Sequence, residues 1–162
     1  MTEISLRPTK FELFLTVAAT LLLVVVIAAI ARAPAHWAEV SRFVWAHLLT
    51  IVFALILTPI MLLMPRGTPL HRQLGWAWMI AMFCTVLLSM FVRQINHGHF
   101  WFIHLLSLYV MYSIPRTIWM AKTHRIQQHR VRIQGIVAGA LLISGIFTFP
   151  FGRMLGVWLM GH

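Results

Sequence analysis

The sequence predicts an all-α, polytopic membrane protein with about five transmembrane helices and a four-helix core built from two tandem helical hairpins. Hydrophobic residues make up 60% of the 162-residue chain and charged residues 10%. Apolar runs of about 18 or more residues are long enough to span a bilayer as helices. Five such runs cover residues 12–31, 43–64, 75–92, 100–120 and 133–149. The third observation is an internal repeat, because two successive segments in the middle of the chain have similar sequences.

The first apolar run and the loop after it form an N-terminal segment, residues 1–42. Arg7 and Lys10 precede the run, and Ala31-Arg32-Ala33 resembles a cleavage site, so a signal peptide is one interpretation. The apolar core is longer than the about 7–15 residues usual in signal peptides, and Pro34 would follow the cut. We therefore expect a retained transmembrane helix.

The core, residues 43–153, divides into similar halves, 43–99 and 100–153. Each half has a His-Leu-Leu-hydroxyl start, an apolar run with a proline, and a His-Arg before the next run. The matching positions are His47, Thr50, Pro59 and His71-Arg72 in the first half, and His104, Ser107, Pro115 and His129-Arg130 in the second. Similarity at a fixed offset predicts repeated units, here hairpins with a histidine at the start of each limb. Residues 154–162 form a short apolar tail.

Lysine and arginine are distributed unequally between the two ends of the predicted helices. Nine lie on the side of the N-terminus and four on the other side. The positive-inside rule then puts the N-terminus in the cytoplasm and the C-terminus outside a bacterial inner (plasma) membrane. The net charge of +10 is accordingly assigned to helix anchoring and anionic lipid. No separate basic domain for nucleic acid is present in the sequence.

This topology divides the four repeated histidines into two levels. His47 and His104 begin limbs that run inward and form an outer pair, while His71 and His129 begin limbs that run outward and form an inner pair. A parallel repeat is related by an axis along the membrane normal, so the members of each pair face each other across the bundle. Ionisable residues in membrane helices usually face the bundle interior or a cavity, and imidazole is a ligand of haem iron. We therefore predict one or two b-type haems held between axial histidines.

Other polar residues complete the predicted site. Arginines near the limb ends are candidates to pair with haem carboxylates: Arg72, Arg130, Arg132 and Arg42. In the outer loop, His97 and His99 are candidates to collect a metal ion or to meet a substrate. The predicted function is a membrane b-type cytochrome that transfers electrons across or within the membrane. Its partner would be a quinone, a metal ion or a redox protein.

Two other interpretations use the same histidines. One is a protein that handles or assembles a non-haem metal or haem. The residues that would assist a soft metal there are Met61, Met64, Met79 and Met82. The other is a cofactor-free structural membrane subunit, in which the histidines only anchor helix ends. The three acidic residues, Glu3, Glu12 and Glu39, lie outside the predicted core, which argues against a carboxylate-driven proton transporter or a membrane hydrolase.

Two resemblances follow from these motifs. Over residues 40–156, the chain resembles a bacterial family of small predicted membrane proteins, a domain of unknown function. The phrases that carry this likeness are His71-Arg72-Gln73-Leu74-Gly75-Trp76, Ile103-His104-Leu105-Leu106-Ser107, His129-Arg130 and Phe149-Pro150-Phe151-Gly152-Arg153. The family likeness implies no activity.

The order of helices and histidines also resembles two-haem transmembrane cytochromes b of the ascorbate-dependent and ferric-reductase-like type. In those proteins the core helices pair first with third and second with fourth. The resemblance implies that His47 and His104 are the outer haem ligands, and that His71 and His129 are the inner ones. This chain has five predicted helices where the eukaryotic members have six, and it lacks an ascorbate-site signature.

Overall fold

The computed structural model describes residues 7–91, 102–150 and 152–161, and of residues 102–104 only the backbone. These residues form helices and no strand, so the all-α class is confirmed for this part of the chain. The α-helices are α1 (Lys10–Arg32), α2 (Arg42–Leu63), α3 (Pro69–Ser89), α4 (Phe102–Lys122), α5 (Ile126–Gly135), α6 (Ser144–Ile146) and α7 (Met154–Met160). A 3₁₀ helix, Pro34–Glu39, joins α1 to α2, and a π-helical segment, Ile136–Ile143, joins α5 to α6.

Hydroxyl caps set the first residues of the long helices. The Ser41 side chain accepts a hydrogen bond from Val44 N at the start of α2. The Thr68 side chain accepts one from His71 N, and Pro69 occupies the first position of α3, where its missing N–H costs nothing. The cap explains why α3 begins six residues before the apolar run that starts at residue 75. It also puts His71 in the first turn of α3.

Two helices, α1 and α2, are long and apolar enough to cross a membrane. Their most apolar 18-residue windows have a mean hydropathy of 3.0 and 2.4. The sequences of α3 and α5 begin with polar residues, which lower the hydropathy of these helices. The topology of five transmembrane helices stays a prediction.

The four core helices pack in chain order. Contacts join α2 to α3, α3 to α4 and α4 to α5, and the π segment returns to α1, α2 and α4. Helix α1 packs on α2 and contributes Leu15 and Ala19 to the buried core. The predicted apolar tail is α7, which packs on α1 and buries Leu155 and Trp158. The N-terminal helix and the tail are therefore parts of one packed bundle with the core.

Polar side chains link the core helices at three depths. The indole Nε1 of Trp78 in α3 donates to Thr58 Oγ1 in α2 at 2.9 Å. Thr85 Oγ1 in α3 donates to Thr50 Oγ1 in α2 at 2.8 Å. The hydroxyls of Ser89 and Ser107 are 3.0 Å apart between α3 and α4. Such bonds supplement van der Waals packing between membrane helices, so they help to fix the register of α2, α3 and α4.

The backbone of α7 passes very close to the preceding bend at Gly156. A Cβ added at Gly156 would overlap the carbonyl oxygen of Phe149. Because both groups belong to the backbone, Gly156→Ala is expected to lower the free energy of unfolding by about 1–3 kcal/mol. Thermal unfolding of the detergent-solubilised protein measures this loss.

Gly139→Ala is the matched control for Gly156→Ala. A Cβ at Gly139 meets nothing within 4 Å among the described residues, and alanine is the better helix former. We expect this variant to unfold at or slightly above the temperature of the wild type. Equal stability of the two alanine variants would show that α7 does not pack as described.

Candidate functional site

A cavity of about 710 Å³ lies within the bundle and is called the main cavity below. It is bounded by α1, α2, α3, α4 and the chain from the π segment to the start of α7. Its volume falls within the about 300–1,000 Å³ typical of small-molecule and cofactor sites. Most of its wall is apolar. The polar lining residues are His47, Thr85, Ser89, Ser107, Ser144, Thr148 and Arg153.

His47 lines the main cavity, and its ring is held by the backbone of the neighbouring helix. The Nδ1 atom of His47 lies 3.0 Å from the carbonyl oxygen of Thr85. A carbonyl only accepts hydrogen bonds, so Nδ1 carries the hydrogen and the neutral ring has its lone pair on Nε2. Histidines that bind metals are commonly held in this way, with the second ring nitrogen donating to a carbonyl.

The predicted partner of His47 is described only in part. The backbone of His104 lies in the first turn of α4, and its side chain lies outside the described residues. Leu106 and Ser107, in the same part of α4, line the main cavity. The first turns of α4 therefore border the cavity that His47 lines. The predicted loop ligands His97 and His99 also lie outside the described residues.

The two predicted inner histidines come together at the opposite end of the bundle. His71 of α3 and His129 of α5 are close enough to interact electrostatically, and Arg66 is near both. His129 Nδ1 lies 3.0 Å from the carbonyl oxygen of Thr117 in α4, which fixes the same tautomer as in His47. His71 Nδ1 is buried, and the part of the chain described here offers it no hydrogen bond. Buried polar atoms normally have a partner, so this nitrogen is a candidate ligand atom.

A buried carboxylate lies at the same end as the inner histidines. Glu12 in the first turn of α1 has a side chain that is 2% exposed, and Arg66 Nη2 contacts its Oε1 at 2.7 Å. Arg130 of α5 binds both carboxylate oxygens, with Nε 2.8 Å from Oε1. Gln134 donates to Oε1 at 3.1 Å, and the backbone N–H of Thr9 donates to Oε2 at 2.8 Å. This bidentate, multiply bonded carboxylate ties α1 to α5 and to the α2–α3 loop.

Because Glu12 binds Arg130 and Arg66, fewer arginines are available to a cofactor. Arg130, predicted as a partner of a haem carboxylate, already holds a carboxylate of the chain itself. Arg72 is exposed in the first turn of α3. Arg153, which was not among the arginines predicted to pair with a haem carboxylate, lines the main cavity.

Two functional candidates were therefore missed by sequence reasoning. Glu12 carried a usable signal, since an acidic residue in the first turn of an apolar helix predicts a buried partner. Thr9 and Glu12 also have the spacing of a capping box, which the structure contains. Arg153 carried no such signal, because its place in a cavity wall depends on how the chain folds back after α6.

The predicted soft-metal ligands Met61, Met64, Met79 and Met82 lie within the residues that the structure describes. The described ranges contain no group of three or more histidine, cysteine or acidic residues arranged to hold a metal ion. Met61, Met79 and Met82 are buried in the hydrophobic core, where methionine fills space between helices. Nothing in their packing favours a soft-metal site.

The chain matches no protein-family model, no curated protein and no solved structure.

Proposed function

We propose that this chain is a multi-pass membrane b-type cytochrome that transfers electrons through haem held by pairs of histidines. His47 with His104 would bind haem in the main cavity, and His71 with His129 would bind haem at the opposite end. The proposal includes five membrane-spanning helices, with the N-terminus in the cytoplasm of a bacterium. A quinone or a redox protein would be the electron partner.

The observation that carries the proposal is the combination of the main cavity with the fixed ring of His47. The cavity has the volume of a cofactor site, and its largely apolar wall suits a flat macrocycle. The hydrogen bond to the Thr85 carbonyl leaves Nε2 as the lone-pair atom of the neutral ring. These residues fit haem in size, polarity and ligand type.

The inner histidines support a second site. His129 is held through Nδ1 as His47 is. The His47 ring in α2 donates to a backbone carbonyl of α3, and the His129 ring in α5 donates to one of α4. Each bond therefore joins the two helices of one hairpin. Haem iron, when bound, supplies the one-electron chemistry. The chain would supply the ligands, and it fixes the ring orientations of His47 and His129 through backbone carbonyls.

Absorption spectra test the proposal directly. The protein is expressed with an adequate haem supply, purified in detergent and examined oxidised and after dithionite reduction, with metal analysis alongside. We expect a Soret band and iron bound as haem. Absence of any Soret band would overturn the proposal, and copper or zinc in place of iron would point to metal handling instead.

A matched pair of variants ties the spectrum to the cavity. His47→Ala is expected to lose haem signal, because it removes an axial ligand. His36→Ala is the control, since the exposed His36 ring in the 3₁₀ helix lies 3.4 Å from the Glu39 carboxylate and is not part of the cavity wall. Equal loss in both variants would contradict the assignment of His47.

A further inference from the structure

Arg153 is the charged residue in the wall of the main cavity. Among the described lining residues, it is the only lysine, arginine, aspartate or glutamate. The side chains that share the cavity wall with it are apolar groups, hydroxyls and His47. A guanidinium in such surroundings is stabilised by an anion or by several acceptors.

The chain offers few counter-ions for Arg153. It has three acidic residues in all. Glu12 is bound by Arg130 and Arg66, Glu39 contacts His36, and Glu3 lies outside the described residues. Over the residues that the structure describes, Arg153 makes no ion pair. The anion that would balance it in the cavity is therefore expected to come with a ligand.

The Arg153 side chain does not cap the helix that follows it. It precedes α7, and its side chain makes no capping hydrogen bond to that helix. Replacing the side chain leaves the backbone bond from Val157 N to the Arg153 carbonyl intact. Arg153 is thus better placed for binding than for holding α7.

We propose that Arg153 binds a carboxylate group of the amphipathic molecule that occupies the main cavity. The inference rests on the proposed function, in which that molecule is haem and the carboxylate is one of its propionates. A fatty acid offers the same chemistry, an apolar body with one carboxylate. Arginine suits this group because its fork of N–H donors matches the two carboxylate oxygens.

The experiment compares ligands that differ only in the carboxylate. Haem-free protein in detergent is titrated with haem, with haem dimethyl ester and with oleate, and binding is followed by absorption or by displacement of a fluorescent fatty acid. Wild type is expected to bind haem about 10-fold or more tightly than the ester, which is the effect of one charge-assisted hydrogen bond. Arg153→Gln is expected to bind haem and ester equally.

Two further variants separate binding from folding. Arg153→Lys keeps the charge and is expected to retain part of the preference for haem over the ester. Arg32→Gln removes an exposed arginine at the last position of α1 that is not part of the cavity wall, and is expected to keep the full preference. Helical circular dichroism and thermal unfolding check that each variant is folded.

The outcomes separate the role of Arg153 from the cytochrome proposal. If wild type binds haem and ester equally, or if the preference survives Arg153→Gln, the role of Arg153 is overturned and the haem site stands. If wild type binds oleate in an Arg153-dependent way and binds no haem, the carboxylate site stands and the cytochrome proposal is overturned. Binding of neither ligand overturns both.

Discussion

Glu12→Gln is expected to be among the most destabilising single substitutions in this chain, at about 3–5 kcal/mol. Glutamine keeps the shape of the side chain and removes its charge. Arg130 and Arg66, whose side chains are 9% and 14% exposed, would then lie near each other without their shared counter-ion. Removing one partner of a buried ion pair costs more than the pair contributes, because the remaining charge stays desolvated. Unfolding in mixed detergent–SDS micelles measures the loss.

Glu39→Gln is the control for this experiment. The Glu39 side chain is 74% exposed and lies 3.4 Å from the His36 ring, so little change in stability is expected. The double variant Glu12→Gln/Arg130→Gln is expected to lose less than the sum of the single losses, since both residues belong to one network. If Glu12→Gln were no less stable than Glu39→Gln, the buried cluster would not hold α1 in the bundle.

The second large effect concerns the two histidine levels. On the proposed function, His47→Ala and His104→Ala are expected to remove one haem signal, and His71→Ala and His129→Ala another. The physical reason is the separation of the pairs, since His47 lines the main cavity while His71 and His129 are close enough to interact electrostatically, near Arg66, at the other end. Haem content per protein and redox titration of each variant measure the effect.

Several results would contradict the two-site arrangement. Loss of the entire haem spectrum in every one of the four variants would indicate a single site. Loss only with His47→Ala and His104→Ala would show that His71 and His129 are structural. Haem content that is unchanged in all four variants would remove the histidine pairs from the proposal altogether.

The predictability of the site differs between its parts. The position of His71 in the first turn of α3 follows from local signals, because Thr68 caps the helix and Pro69 starts it. The proximity of His71 and His129 follows from the repeat, which gives two hairpins the same design. By contrast, the bond between Glu12 and Arg130 joins residues 118 positions apart, and no local pattern names one as the partner of the other.

The first helix is a segment for which the sequence left two interpretations open. The sequence left a signal peptide and a transmembrane helix as alternatives for residues 12–31. In the structure this helix buries Leu15, Ala19 and Ala29 and anchors its first turn through Glu12. A helix with such contacts is part of the packed bundle, and its retention stays a prediction.

The sequence by itself determined the helical class, the apolar segments and the repeated spacing of four histidines. These depend on composition and periodicity, which act over a few residues. Only the tertiary structure decided that Arg130 is taken by Glu12 and that Arg153 lines the main cavity. Both outcomes depend on the rotation and packing of helices distant in the chain, and a side chain acquires its partner only when those helices meet.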